Sequence, residues 1–369
     1  MISTSKNLLL FAAEIAAASL VSAGTLRAET IFANDVTVDT DAFDVSGKYT
    51  GGSGWYDVNK LWVGETAEGL SWDETNAPDA IADSDIDKDA SMCWAATASN
   101  MIQWGYGQVA AGTFVAGTPA GYDASRAFAA RQQLSVYKTF CENWTDDGNT
   151  IANGLAWWLT GDDEFELVAG DSSVLRDGAT GGAYLANASD ISLASYIESI
   201  ELIDGDNVSG AYSLAELSDG FKESFGSQGG VVGLAINIYN QEEGDVEGGH
   251  AITCWGCEFD EDGFLSALYV TDSDDCVSTD AYSADADASA LEMVMRRLDV
   301  TFIENDDADD SNEYGIAYLF DYVLGVDYRI DTVVTFSPLG LIPEPSAFGL
   351  FAGACALALA GTRRRRKAR

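Results

Sequence analysis

Ser91-Met92-Cys93-Trp94-Ala95-Ala96-Thr97-Ala98-Ser99-Asn100-Met101-Ile102-Gln103-Trp104 is the stretch on which the reading of this chain turns. Ala95, Ala96, Ala98, Met101 and Ile102 are good helix or core residues, so a helix is predicted from Cys93 through Trp104. Cys93 then sits where a helix begins, among backbone N–H groups and a dipole that stabilise a thiolate. That makes it a candidate nucleophile. The histidine and the carboxylate or amide that such chemistry needs can lie far away in the sequence.

Upstream, residues 29 to about 50 read as irregular chain or short strand, and Gly54-Trp55-Tyr56-Asp57-Val58-Asn59-Lys60 follows a glycine cluster. Residues 64 to 90 are acidic and loop-like. Asp83, Asp85, Asp87 and Asp89 alternate as in a calcium loop, but the sixth-position glycine and closing glutamate of an EF-hand are missing. Downstream, helices are predicted over about 124–141, Leu193–Ile203 and Leu214–Phe225, the last ended by Gly226. The character then changes. Val231–Ile236 and His250–Phe259 read as strands, and Asp260-Glu261-Asp262-Gly263 turns the second into a returning strand, Phe264–Thr271. Met293–Ile303 and Tyr314–Leu324 are predicted as later strands. Helices followed by strands indicate an α+β protein, a helical lobe packed on a sheet lobe, with no internal repeat and no extended linker.

His250 is the only histidine. A lone histidine is commonly structural, but this one follows Gly248-Gly249 at the start of an apolar strand, where its ring can lie at a lobe boundary. The facing strand ends in Thr271-Asp272-Ser273-Asp274. Carboxylates at i and i+2 lie on one face of a strand, and the hairpin brings them back towards His250. The same pair would also suit a plain charged strand end.

These motifs resemble a family. Ser91 to Met101 resembles the nucleophile helix of the immunoglobulin-degrading (IdeS/Mac-type) bacterial cysteine peptidases. His250-Ala251-Ile252-Thr253-Cys254-Trp255-Gly256 resembles that family's histidine strand, and Tyr269 to Asp274 its acidic segment. Gly54 to Lys60 is similar to the stretch bearing its oxyanion lysine. The resemblance implies a papain-like thiol endopeptidase that needs no cofactor. Cys93 would be nucleophile, His250 acid/base, Asp272 the group orienting the ring, and Asp274 its support or that of a neighbouring backbone group. Lys60 and the Cys93 N–H would stabilise the oxyanion. Asp85 to Met92 holds no side-chain amide, where papain-like enzymes usually place a glutamine. The resemblance is close over roughly 54–104 and 210–275 and loose between, so it does not carry immunoglobulin specificity.

Both ends read as addresses. Lys6, the apolar run Asn7–Val21 and small-residue sites at Val21-Ser22-Ala23 and Leu26-Arg27-Ala28 predict a signal peptide over residues 1–28. In residues 341–369, Pro343-Glu344-Pro345 precedes an apolar stretch, Ala347–Gly361, and an arginine-rich end. This resembles a PEP-CTERM sorting signal, which implies an exosortase-type partner, a transient membrane anchor and delivery to the cell surface or extracellular matrix. An ordinary tail anchor is the alternative. Either way residues 29–340 form the domain, outside the cytoplasm.

The formal net charge is −41. The two ends hold eight of the 19 basic residues but two of the 60 acidic ones, so the domain is more acidic still. Such a surface repels nucleic acid and anionic membranes. Without Cys355, in the tail, five cysteines remain, an odd number that leaves at least one thiol unpaired within the chain. Cys254 and Cys257 read as strand residues, or as disulfide partners of Cys141 or Cys276. The chemistry expected is peptide hydrolysis on an unidentified protein or peptide. A transglutaminase or amidase with the same site, or a silent surface or matrix binding protein on the same fold, are the alternatives.

Overall fold

The computed structural model describes residues 29–60, 91–109, 135–165, 173–185, 192–202, 212–240, 245–274, 293–304, 315–323 and 326–339. The helix predicted at Cys93 is present as α1, Cys93–Gln108, and runs four residues beyond the expected end. Trp94 to Gly105 are all buried, as befits a helix covered on every side. The helices α2 (Ser135–Asn143) and α3 (Ile151–Thr160) pack against α1, as do strands β4 (Val231–Asn240) and β5 (Asp245–Phe259).

Two glycines make that seat possible. A Cβ on Gly233 of β4 would lie 3.0 Å from Met101 Sδ and 3.1 Å from both Thr97 Cγ2 and Ile151 Cδ1. A Cβ on Gly154 of α3 would meet Trp94 at 3.0 Å and Ala98 Cβ at 3.2 Å. The start of α1 is held by aromatics: Trp94 meets Trp144 edge-on at 5.3 Å between ring centroids and Phe140 at 5.7 Å.

The remaining strands are β1 (Glu29–Phe32), β2 (Lys48–Tyr49), β3 (Ile197–Glu201), β6 (Leu265–Asp272), β7 (Met295–Asp299), β8 (Thr301–Glu304), β9 (Gly315–Val323) and β10 (Val326–Phe336). They form one antiparallel sheet in the order β2-β7-β6-β5-β4-β10-β9-β8, with β1 added to β5 and β3 to β10. Only Val300 separates β7 from β8, although they pair towards opposite ends of that order. The sheet therefore curls back on itself, and β7 touches β9.

Mixed helix and antiparallel sheet is thus the architecture, in keeping with the α+β expectation. Three element readings change. The helix expected over Leu193–Ile203 is a 3-10 turn, Leu193–Ser195, followed by β3. Leu193, Ile197 and Ile200 mimic helical spacing, but β3 pairs with β10 from Ile197↔Phe336 to Glu201↔Thr332, and that pairing overrides the local pattern. The strand expected over Met293–Ile303 is divided at Val300. The helix expected over 124–141 is described only from Ser135 and ends at Asn143.

Two elements were not anticipated: α3, N-capped by Thr150 and closed by Gly161 at φ +83°, and β10. The acidic stretch 83–89 and both terminal segments lie outside the described residues. Among the described residues, no helix is long and apolar enough to cross a membrane.

Replacing Gly233 by valine is expected to destabilise the fold by about 1–3 kcal/mol through overpacking against α1. The measurement is a lower urea midpoint at unchanged m-value; an unchanged midpoint would show that α1 tolerates a side chain there.

Candidate active site

The β5–β6 hairpin sets the first three residues. Ile252 pairs with Asp272 and Thr253 with Thr271. Continued outward by two residues, the same register puts His250 opposite Asp274, with both aspartates on its face of the ladder. His250 Nε2 lies 2.6 Å from Asp272 Oδ1, and Nδ1 lies 3.9 Å from Asp274 Oδ2. Asp272 Oδ1 also accepts the Asp274 backbone N–H at 2.9 Å. His250 also interacts with the Cys93 thiol, each shifting the titration of the other.

Lys60 arrives on a buried extended segment, Trp55 to Lys60. Thr271 Oγ1 donates to Tyr56 O at 3.0 Å, and Lys60 N–H donates to Ser273 O at 2.9 Å, so the segment follows the end of β6. Lys60 is 2 % exposed, and its Nζ lies 2.9 Å from Asp274 Oδ1. A buried ammonium is costly unless paired. Asp274 therefore stands between two cations, Lys60 and His250. All five residues singled out in the sequence are brought together: Cys93, His250, Asp272, Asp274 and Lys60.

Cys93 is the half-buried first residue of α1, and Met92 before it gives no side-chain cap. Asp146 Oδ1 accepts the Ser91 N–H at 2.8 Å, and Trp94 Nε1 donates to Asp147 O at 3.0 Å. These two bonds fix the entry of the helix. Burial would raise the Cys93 thiol, but the hydrogen bond and charge of His250, with the charge of Lys60, outweigh it and hold the thiol below its ordinary value, against opposition from Asp274. For His250, burial favours the neutral ring. The charges of Asp272 and Asp274, with hydrogen bonds to Asp272 and Cys93, overcome this and hold the imidazole well above 6.5. Each group thus favours the charged form of the other.

The other described cysteines differ in kind. Burial pushes Cys254 up to about 12, and burial with the neighbouring Cys254 raises Cys257 further. Both are thiols on β5, and Cys141 is likewise a buried thiol. The strand reading of the Cys-x-x-Cys therefore stands, and the disulfide alternative with Cys141 does not. Cys276 lies outside the described residues.

One nitrogen or oxygen from each of His250, Asp272 and Asp274 could converge on a metal ion, since these atoms lie within 4.8 Å of one another. Two of the three groups are already bonded to each other, and the Lys60 ammonium occupies the third. The donor set is better matched to the protein's own cations than to a metal.

Residues 186–314 match the Mac-1 family model, Mac 1. That span carries His250, Asp272, Asp274 and much of the sheet, while Cys93 and Lys60 precede it. The match supports the Mac-type resemblance and, at that level, a cysteine-protease-like function. No curated protein matches the chain. Sequence reasoning did not single out Asp146 or Asn100.

Because the chain has one histidine, its imidazole NMR signals need no assignment. Asp272 and Asp274 stabilise the charged ring, so the proton is expected to leave only well above pH 6.5, and Asp274→Asn is expected to lower that midpoint. A midpoint at or below 6.5 in the parent would contradict this electrostatic picture.

Proposed function

We propose that this chain is an exported, papain-like cysteine endopeptidase acting on protein outside the cell. The observation that carries the reading is the His250–Asp272 hydrogen bond on an antiparallel sheet, electrostatically coupled to Cys93 at the first turn of a buried helix that packs on that sheet. A thiolate at a helix start, paired with an imidazolium oriented by a carboxylate, is the arrangement that acyl transfer from an amide requires.

In the proposed reaction the Cys93 thiolate attacks the scissile carbonyl carbon, and the carbonyl π electrons move onto oxygen. The Cys93 backbone N–H and the Lys60 ammonium stabilise that oxyanion. Asp274 fixes the ammonium by its 2.9 Å contact. His250 gives its proton to the leaving nitrogen as the C–N bond breaks, leaving an acyl-thioester on Cys93. Water then attacks the thioester while neutral His250 accepts its proton, and collapse releases the carboxylic acid and restores the thiolate–imidazolium pair. Asp272 keeps the ring oriented and stabilises its charged form throughout. No cofactor takes part.

The terminal segments support export, with an exosortase-type enzyme as partner for the C-terminal tail and a transient anchor at the membrane. The strongly negative chain makes nucleic acid an unsuitable partner.

Cys93→Ala and His250→Ala are each expected to abolish cleavage of a quenched fluorescent casein by the folded protein. Lys60→Ala is expected to lower kcat by about 10- to 1,000-fold, as loss of one oxyanion donor. Undiminished turnover in either of the first two variants overturns the assignment. A Lys60→Ala rate within about twofold of the parent removes Lys60 from the oxyanion hole. Incorporation of an added amine in place of water would instead favour the transferase alternative.

A further inference from the structure

Asn100 lies seven residues after Cys93 on α1, so it is on nearly the same side of the helix, about 10 Å along its axis. It is 2 % exposed. Asparagine is a poor residue for a helix interior, and a buried amide is unfavourable unless its donor and acceptor both find partners. Both do, in two other parts of the chain. Asn100 Oδ1 accepts the Val58 N–H at 3.0 Å, and Asn100 Nδ2 donates to Thr253 Oγ1 at 3.1 Å. The backbone N–H of Val58 can only donate, which fixes which way round the amide stands.

Val58 is two residues before Lys60, and Thr253 three residues after His250. One side chain on the nucleophile helix therefore ties together the segment carrying the cation and the strand carrying the base. One turn further along α1, buried Gln103 interacts with Tyr56, on the same segment as Lys60. Taking the peptidase reading above as its basis, we infer that Asn100 is a positioning residue: it sets the Lys60 ammonium and the His250 strand in register with Cys93. The Asp274–Lys60 ion pair fixes the ammonium relative to the histidine; Asn100 fixes that assembly relative to the nucleophile.

The experiment is a double-mutant cycle between Asn100→Ala and Lys60→Ala in the full chain, with Thr253→Val and Thr253→Ser as gentler companions. Two readouts are taken: turnover of quenched fluorescent casein, and the pH dependence of Cys93 alkylation by iodoacetamide, with folding followed by circular dichroism. Asn100→Ala is expected to lower kcat by about 10- to 100-fold, as misplacement of a catalytic group does, with KM within about threefold. It is also expected to move the alkylation midpoint upward, because the Lys60 charge is no longer held near the thiol. In the Lys60→Ala background the same change is expected to lower kcat by clearly less than it does in the parent, the remaining loss being the part that acts through the His250 strand. Thr253→Val is expected to reproduce part of the loss and Thr253→Ser to restore it.

Full additivity in the cycle, or an unmoved alkylation midpoint in folded Asn100→Ala, overturns the positioning role. Should Asn100→Ala not fold, unchanged kcat and alkylation in Thr253→Val overturn it. Failure of the peptidase reading looks different: the parent leaves casein intact, and the alkylation shift alone then decides whether Asn100 places Lys60.

Discussion

Asp274 carries the arrangement of this molecule because two cations share it. Its carboxylate lies 2.9 Å from the Lys60 ammonium and 3.9 Å from His250 Nδ1, while Asp272 holds the other ring nitrogen at 2.6 Å. Lys60 and Asp272 are almost wholly inside the protein. Removing one partner from such a set strands a buried charge, at a cost of roughly 3–5 kcal/mol. The charges are thus mutually obligatory. The half-buried thiol of Cys93 adjoins the set, and the charges of His250 and Lys60 favour its ionised form.

The fold can be understood as the means of bringing these charges to one place. A hairpin supplies His250 and both aspartates in one register. An extended segment runs along the end of that hairpin and delivers Lys60. Cys93 comes from a helix that packs against the sheet and against α2 and α3, seated through glycines at 154 and 233. Curling of the sheet joins β7 to β8 through Val300 and leaves fewer open edges around this arrangement.

Some of this was legible from residues alone. The period of two in a strand and a recognisable turn at Asp260–Gly263 pointed to a hairpin able to bring Asp272 and Asp274 back towards His250, whereas the two irregularities in the β5–β6 pairing carried no such signal. The alanine-rich run after Cys93 announced its helix. Lys60 was not legible in that way. A single lysine carries no pattern: the missing side-chain amide before Cys93 left room for a cation from elsewhere, and resemblance to a Mac-type peptidase pointed to Lys60. Asn100 was invisible for the opposite reason: an asparagine in a helix ordinarily marks a solvent-facing side, and its two partners lie 42 and 153 residues away. Residues 193–203 misled because Leu193, Ile197 and Ile200 fit a helical stripe, whereas pairing with β10, far along the chain, decided their conformation. The order of strands in the sheet depends on which distant segments pair, and local sequence does not encode that.

The central claim is that Cys93 is held as a thiolate by its partners, and selective alkylation tests it most directly. The purified protein is treated with substoichiometric iodoacetamide at neutral pH and at about pH 5, and the modified cysteine is mapped by mass spectrometry. The account predicts rapid modification of Cys93 that persists at the acid pH, with Cys254 and Cys257 untouched because burial raises both. A Cys93 that is inert at both pH values, or modified no faster than the other thiols, would contradict it.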